Sequence, residues 1–508
     1  MVPRMHAMAG TVGKRKNHAM PNVEGNTKPL KVAVIGAGMS GILTGIKLQE
    51  AGFTDFAIYE KSDRLGGTWR DNTYPGLSCD VPSHLYNYSF EPNPEWSHRF
   101  SPGAEIQAYF EGAAKKYGVE PFIRFNKEIT SARYTDGAWL IETTDGDHDR
   151  ADIVIAATGV LHHPVYPDIE GLESFAGPCF HTGRWDHDVA LTGKRVGIIG
   201  TGSTAIQIVP AIIDRAAKVS LFQRTAQWIF PLPNPAYSEQ EKSQFRESPE
   251  RMKQLHAFIS ERFEETFARA VVGDEEQLRA IEQACQTNLD DNVRDPELKK
   301  KLTPNYQAAC KRLIMSDDFY PAIQEPNADL VAEGIERIEL GGVRTTDGVL
   351  HELDVLVLAT GFDGHRFMRP MQVVGKDGLT LDDAWAYANE AYRSVSVPGF
   401  PNFFMLVGPN SPIGNYSLID ISEMQLAYVM QLIDLLRAGT YSEISANKEA
   451  TDRFNADIRA AMKGTVWVSG CQSWYLDKNG NPAMWPWTFD KFRADMAHPV
   501  LEEFDLVS

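Results

Sequence analysis

The chain has 508 residues, 43% of them hydrophobic, and a formal net charge of −18, which fits roughly three soluble domains with ample core. The acidic excess argues against nucleic acid and anionic membrane surfaces as partners, and no apolar run reaches the roughly 18 residues that would span a bilayer. Five cysteines, Cys79, Cys179, Cys285, Cys310 and Cys471, are few, odd in number and far apart. With no signal-peptide apolar core ahead of them, they read as free thiols in a cytoplasmic protein.

Residues 1–30, with a basic Gly-Lys-Arg-Lys at 13–16 and no periodicity, are expected to be a flexible tail. Val32–Ile35 follow as an apolar run suited to a strand buried on both faces. Gly36-x-Gly38-x-x-Gly41 comes at once. The first glycine permits a tight turn, the second lets backbone approach a pyrophosphate, and the third lets the next helix pack on its strand. That helix, Ile42–Gln49, turns its N-terminus to the phosphates, where free N–H groups favour an anion. Glu60 follows the second apolar segment, Phe56–Tyr59. A carboxylate there accepts from ribose hydroxyls and repels a 2′-phosphate, so the site suits FAD or NAD, not NADP.

In residues 66–80, Gly66 and Gly67 let backbone run close to a cofactor, Trp69 offers a flat face, Tyr74-Pro75-Gly76 makes a turn and Asp80 supplies a carboxylate. Leu85–Phe90, with Tyr86 and Tyr88, reads as strand-like, and 104–117 as a helix. Ile129–Tyr134 and Ala138–Thr143 read as a hairpin, after which Ile153–Ala157 enters the sheet and exits through Ala157-Thr158-Gly159. Such small residues are common where a second nucleotide domain must come close. In Phe175-x-Gly177-x-x-x-His181-x-x-x-Trp185-Asp186, His181 is read as a linker anchor and not as a base.

A second nucleotide fold starts at Lys194–Ile199. Its turn is Gly200-x-Gly202-x-x-Ala205, with alanine in the third place, as the fingerprint allows. Thr201, Ser203, Thr204 and Gln207 add polar groups at the helix start. The next strand, Val219–Phe222, ends in Gln223-Arg224-Thr225. Arg224 stands where the first fold has Glu60, and an arginine clamps a 2′-phosphate bidentately, so this site selects NADPH. Residues 231–304 turn charged and helical. Ser238-x-x-Glu241 resembles a capping box, and Leu255, Phe258, Ile259, Phe263 and Phe267 form one stripe. Cys310-Lys311-Arg312 sets two adjacent cations beside an apolar run. Leu353–Leu358 re-enters the sheet and ends in Ala359-Thr360-Gly361, echoing residues 157–159. A strand at Phe403–Val407 and a long helix at Ile421–Ala438, closed by Gly439, follow. Trp474, Trp485 and Trp487 suit either core or pocket lining. With no close redox pair, a flavin disulfide reductase is disfavoured.

These motifs resemble the type I, FAD- and NADPH-dependent Baeyer–Villiger monooxygenases over about residues 31–490. The family's FxGxxxHxxxW(P/D) signature is matched from Phe175 to Asp186, and GGxW…YPGxxxD from Gly66 to Asp80. The order of the glycine motifs, the two small-residue exits and the Lys311-Arg312 pair also agree. Ser473-Trp474-Tyr475 with the later Asp-x-Asn-Gly and Trp-Pro is similar to the branch containing 4-hydroxyacetophenone monooxygenase. The resemblance implies that Arg312 stabilises a peroxyflavin anion, and that Asp80 orients Arg312 and the nicotinamide amide. It places Lys311 with Arg224 and Thr225 on the 2′-phosphate. Met39, Ser40, Glu60, Trp69 and Tyr86 would contact FAD, with Ile129 near the adenine and Trp474 near NADP. Thr68, Ser78 and Cys79 are further cofactor candidates, and no metal ligands are assigned.

The expected architecture is α/β, with two Rossmann-like dinucleotide-binding domains. FAD would occupy 31–165 plus 362–508, and NADP 166–361 with a helical insert at about 232–303. The expected reaction inserts one oxygen atom of dioxygen beside a ketone carbonyl, or oxidises a sulfide, in a monomer or weak homo-oligomer. Two other readings stay open: a flavin S- or N-oxygenase, and a non-oxygenating NADPH-binding flavoprotein.

Overall fold

The computed structural model describes residues 29–508, so the expected tail lies largely outside the described residues. Short β-branched and apolar runs form the strands that matter here. They are β1 (Val32–Ile35), β2 (Phe56–Tyr59), β3 (Ile123–Arg124), β4 (Ile153–Ala156), β5 (Cys179–His181), β6 (Arg195–Ile199), β7 (Lys218–Phe222), β8 (Ala328–Val331), β9 (Val355–Leu358) and β10 (Phe403–Met405). The helices that pack on them are α1 (Met39–Glu50), α2 (Ser203–Ile212) and α3 (Leu418–Arg437).

Two five-stranded sheets result, in the orders β10-β4-β1-β2-β3 and β8-β7-β6-β9-β5. Every pairing in both is parallel. The strand leading into each glycine turn is central. Val32 of β1 lies opposite Phe56 and Ile153, and Val196 of β6 lies opposite Val219 and Val355. Being covered on both faces explains why these strands are apolar without alternation. Each half also carries an antiparallel meander just before the strand that exits through small residues. It spans Ile129–Ala151 before β4 and Ile335–Glu352 before β9.

One face of the first sheet forms a core with α1 and α3, including Ile42, Ile46, Leu426 and Val429. Its other face meets Trp139 and Ile141 of the meander and Ile281 of the insert. The second sheet builds its own core with Ile206 and Val209 of α2. Helix α3 stops where Gly439 takes φ +69°, a conformation that favours glycine. The insert is helical over most of 239–302, and the capping box at Ser238 and Glu241 forms. Its aromatic stripe does not stay on one buried face. Phe258 is 63% exposed, Ile259 and Phe263 pack on one core, and Phe267 packs on another. A π-helical turn at Glu264–Ala268 shifts the register between them.

Two further expectations are corrected. Leu85–Phe90 is a series of turns, in which the amides of Leu85 and Tyr86 donate back to Pro82 and the Tyr88 hydroxyl donates to the Met39 carbonyl at 2.6 Å. The cysteines are not all free: Cys310 and Cys471 form a disulfide with a Cα–Cα distance of 6.2 Å. A sequence separation of 161 residues hid the pair. Cys79, Cys179 and Cys285 are free.

The chain crosses between the sheets twice, and the crossings pair. The Val165 amide donates to the Gly361 carbonyl at 2.9 Å and the Asp363 amide to His163 at 2.9 Å, around an antiparallel bridge between Pro164 and Phe362. His181, 1% exposed, accepts from the Gly183 amide through Nδ1 at 3.0 Å. Its Nε2 therefore carries the proton and donates to the Gly361 carbonyl at 3.0 Å. Both ring nitrogens are used, which leaves this histidine no basic lone pair.

Candidate active site

A cavity of about 760 Å³ lies between the two sheets and is lined by residues from both. At its first-half end, Gly36 has φ +100°, and a Cβ there would lie 2.7 Å from the Ala157 carbonyl oxygen. A Cβ on Gly41 would lie 1.8 Å from the Gly36 carbonyl oxygen. The backbone is thus folded on itself too closely for any side chain. Helix α1 begins behind this turn with no side-chain cap, so its N-terminal amides stay available to an anion. The second half repeats the device. Gly200 has φ +111°, its Cβ would meet the Ala359 carbonyl oxygen at 2.4 Å, and α2 also starts uncapped. The carbonyls of Ala157 and Ala359 thus press on the glycine turns, while Gly159 and Gly361 line the cavity between the halves.

Glu60, 4% exposed at the end of β2, is held by three donors. The Ala37 amide reaches it at 2.9 Å, the Ser62 amide at 3.0 Å and the Arg70 guanidinium at 2.8 Å. Arg70 escaped the sequence reading. The signal available was physical: a buried carboxylate requires a partner. Around it, the Trp69 indole donates to the Tyr86 hydroxyl at 3.1 Å, and the Ser40 and Ser422 hydroxyls lie 2.9 Å apart. Gly36, Gly38, Met39, Ser40, Glu60, Thr68, Trp69, Ser78, Cys79, Asp80, Tyr86 and Ile129 all line the cavity. Burial, with Asp80 beside it, raises the pKa of the Cys79 thiol, so it stays protonated and unreactive.

From the second half come Gly202, Ser203, Thr204, Gln207, Lys311 and Arg312, and from the C-terminal part Trp474. Gly41, Gly200, Thr201, Ala205, Arg224 and Thr225 sit behind the cavity wall or beside it, outside the lining. The Thr201 hydroxyl donates to the Thr225 carbonyl at 2.8 Å and ties the glycine turn to the end of β7. Gln207 uses both ends of its amide between the halves. It accepts from the Tyr74 hydroxyl at 3.0 Å and donates to the Ser78 carbonyl at 3.1 Å. Lys311 sits over the Tyr306 ring at 4.7 Å. Burial and the neighbouring charge of Arg224 lower its pKa. Among the described residues neither cation is in a salt bridge, and the two lie close enough for one charge to act on the other.

In the cavity lining Arg312 meets Asp80 across the two halves. Its Nε and Nη2 both donate to Asp80 Oδ2, at 2.8 and 2.6 Å, and Nη1 lies 3.5 Å from the Ile413 carbonyl. Burial opposes the charge, but Asp80, with Tyr475 nearby, outweighs it and raises the guanidinium pKa. The result is a fixed, permanent cation facing a partly apolar chamber, suited to stabilising negative charge that develops on a bound reactant. Trp474 lines the chamber, whereas Trp485 is fully buried in the core.

The flavin-binding monooxygenase-like family matches residues 29–371. An uncharacterized monooxygenase of Mycobacterium tuberculosis is 49% identical over 475 residues, 94% of this chain and 96% of its own. A Baeyer-Villiger monooxygenase of Streptomyces coelicolor is 40% identical over 483 residues, 94% of this chain and 93% of its own. Among solved structures, cyclohexanone monooxygenase from Rhodococcus sp. Phi1 bound to NADP+ aligns with a TM-score of 0.85 at 29% identity, covering 94% of this chain and 99% of that one.

Proposed function

The chain belongs to the flavin-binding monooxygenase-like family, and from that membership we propose that the cavity is the active site of an FAD- and NADPH-dependent Baeyer–Villiger monooxygenase acting on a ketone. The overall reaction balances as ketone, dioxygen, NADPH and a proton giving ester or lactone, NADP+ and water. One carbon–carbon bond beside the carbonyl breaks, the inserted oxygen bonds to both of its carbons, and the other oxygen atom of dioxygen leaves as water. FAD, when bound, supplies the hydride acceptor and activates dioxygen.

The residues present fit a dinucleotide in each half. The first half offers a turn that only glycine can make, an uncapped helix start and a buried carboxylate near the ribose position. The second offers a matching turn with Arg224 and Lys311 for a 2′-phosphate. Trp69 and Tyr86 would wall the flavin side, and Ile129 lines the same cavity. On this reading, residues 31–165 with 362–508 hold FAD and 166–361 hold NADPH.

The observation that carries the proposal is the Asp80–Arg312 pair. One partner comes from each half, and the guanidinium faces the space between two nucleotide turns. Attack on a ketone carbon requires an oxygen nucleophile kept unprotonated, and a fixed guanidinium in a site sparing in water does that. Asp80 holds the guanidinium plane, and Trp474 with its neighbours limits water.

The test is NADPH consumption against a panel of ketones and sulfides, with product mass and hydrogen peroxide measured. Cyclic and aryl ketones are expected to yield products one oxygen heavier, with little peroxide. Sulfoxide without any ester, or peroxide alone, overturns the ketone assignment.

A further inference from the structure

We propose that Tyr475 is a positioning residue for Arg312, carried on an arm, Cys471–Tyr475, that is bolted to the Arg312 segment by the Cys310–Cys471 disulfide. The inference rests on reading Arg312 as the fixed cation of the site. Asp80 holds only one edge of the guanidinium, since Nε and Nη2 both converge on its Oδ2. The opposite edge has a single long contact, 3.5 Å from Nη1 to the Ile413 carbonyl. Left so, the group could pivot about Asp80.

Tyr475 stands on that weakly held side. It is 2% exposed and lies outside the cavity lining, unlike its neighbour Trp474. A Cβ built on Gly414, the residue after Ile413, would lie 3.1 Å from its hydroxyl oxygen. Hydroxyl, the 413–414 backbone and guanidinium are therefore one packed group. The Tyr475 hydroxyl is buried with no hydrogen bond of ordinary geometry, and a buried polar oxygen in that position calls for an explanation. Arg312 is the charge beside it, and it raises the guanidinium's hold on its proton after Asp80 does. The guanidinium and this oxygen are already close enough to interact.

The arm is fixed independently of that contact. The disulfide joins Cys310, two residues before Arg312, to Cys471, four before Tyr475. The Tyr475 ring is set edge-on to Trp467 at 5.9 Å, and its carbonyl accepts from the Ala483 amide at 2.8 Å. A ring of covalent bonds and packing thus closes through Cys310, Arg312, Tyr475 and Cys471, and moving either segment moves the other.

Tyr475→Phe keeps the ring and removes the oxygen. We expect unchanged flavin content and an unchanged KM for NADPH. The kcat for ketone product should fall about tenfold, the scale of one charge-assisted hydrogen bond, with more peroxide per NADPH. Amide hydrogen exchange at 310–314 should quicken. In an Arg312→Ala background the same substitution should change none of the kinetic readings, because its only route is through that guanidinium. Parental coupling and parental exchange in Tyr475→Phe overturn the proposal, and so does an equal loss in the Arg312→Ala background. If Tyr475→Phe fails to hold flavin, Gly414→Ala, whose methyl presses on the hydroxyl, is held to the same outcomes. Arg312→Ala alone retaining ketone oxygenation sinks the reading of Arg312 itself. An inactive Arg312→Ala beside a parental Tyr475→Phe sinks only the role of Tyr475.

Discussion

At the end of β2 a carboxylate, Glu60, is buried and fastened by two amides and a guanidinium. Just past the end of β7, the equivalent place in the second half, Arg224 is exposed and in no ion pair among the described residues. The halves otherwise repeat each other part for part: central strand, glycine turn, uncapped helix, meander, exit through Ala-Thr-Gly. The first half builds its ribose site in advance and seals it. The second leaves its cations waiting for charge to arrive. A sealed, preorganised site suits a group that stays bound, and unpaired cations, Arg224 exposed and Lys311 half-buried, suit one that comes and goes by electrostatic attraction. On the proposed function these are FAD and NADPH.

The largest effect should come from erasing what separates the two turns. Gly41→Ala puts a methyl 1.8 Å from the Gly36 carbonyl oxygen, and the purified protein should lack flavin absorbance. The second half already carries Ala205 there, and Ala205→Gly should change NADPH affinity less than about threefold, the scale of one helix-propensity step. Flavin retained in Gly41→Ala would mean that the turns are not as different as their packing. Next is the pair that spans the halves. Arg312→Ala should leave a yellow, folded protein whose ketone oxygenation is at least about a hundredfold slower. Stopped-flow reduction by NADPH should be near parental, which separates binding from oxygen transfer.

Arg224→Ala sharpens the contrast between exposed and sealed sites. NADPH affinity should fall roughly ten- to a hundredfold while NADH is little changed. Equal loss with both would mark a folding defect. The smallest effect lies where the insert docks on the first half. Burial, helped by Glu423, pushes Asp420 of α3 up to about 8. His256 of the insert stands 3.9 Å away, with Glu264, Glu423 and Arg493 around the same cavity. The unfolded carboxyl titrates near 4, so the folded form binds the extra proton between about 4 and 8. Stability therefore falls as pH rises through that window. Asp420→Asn should flatten the fall, raising Tm by a few degrees at pH 9 and by less at pH 6. Parallel Tm–pH curves would show that Asp420 is not the group responsible.

The nucleotide halves were legible in the sequence because their demands are local. A turn that must approach a phosphate needs glycine, and a ribose site needs its carboxylate a set distance on. Arg312 and Asp80 are 232 residues apart and could be joined only through family resemblance. Arg70 as the partner of Glu60, the amide of Gln207 shared between Tyr74 and Ser78, and the disulfide depend on tertiary approach that no spacing encodes. The failed strand at Leu85–Phe90 is of the same kind. Its alternating Tyr86, Tyr88 and Phe90 look like a pleat, but the Tyr88 hydroxyl is committed to Met39 and the preceding amides to a turn at Pro82.

The paired crossings at 163–165 and 361–363 have a mechanical consequence. Two separate tethers would let the halves drift in any direction. A hydrogen-bonded ribbon two strands wide is stiff in its own plane and yields across it. His181, clasped between Tyr166 and Phe362, rivets that ribbon to β5, so it travels with the second half. On the first-half side the ribbon meets the stretch from Ala157 to His162, where Gly159 has φ +70°. Any relative motion of the halves is then confined to what bends the ribbon across its own plane.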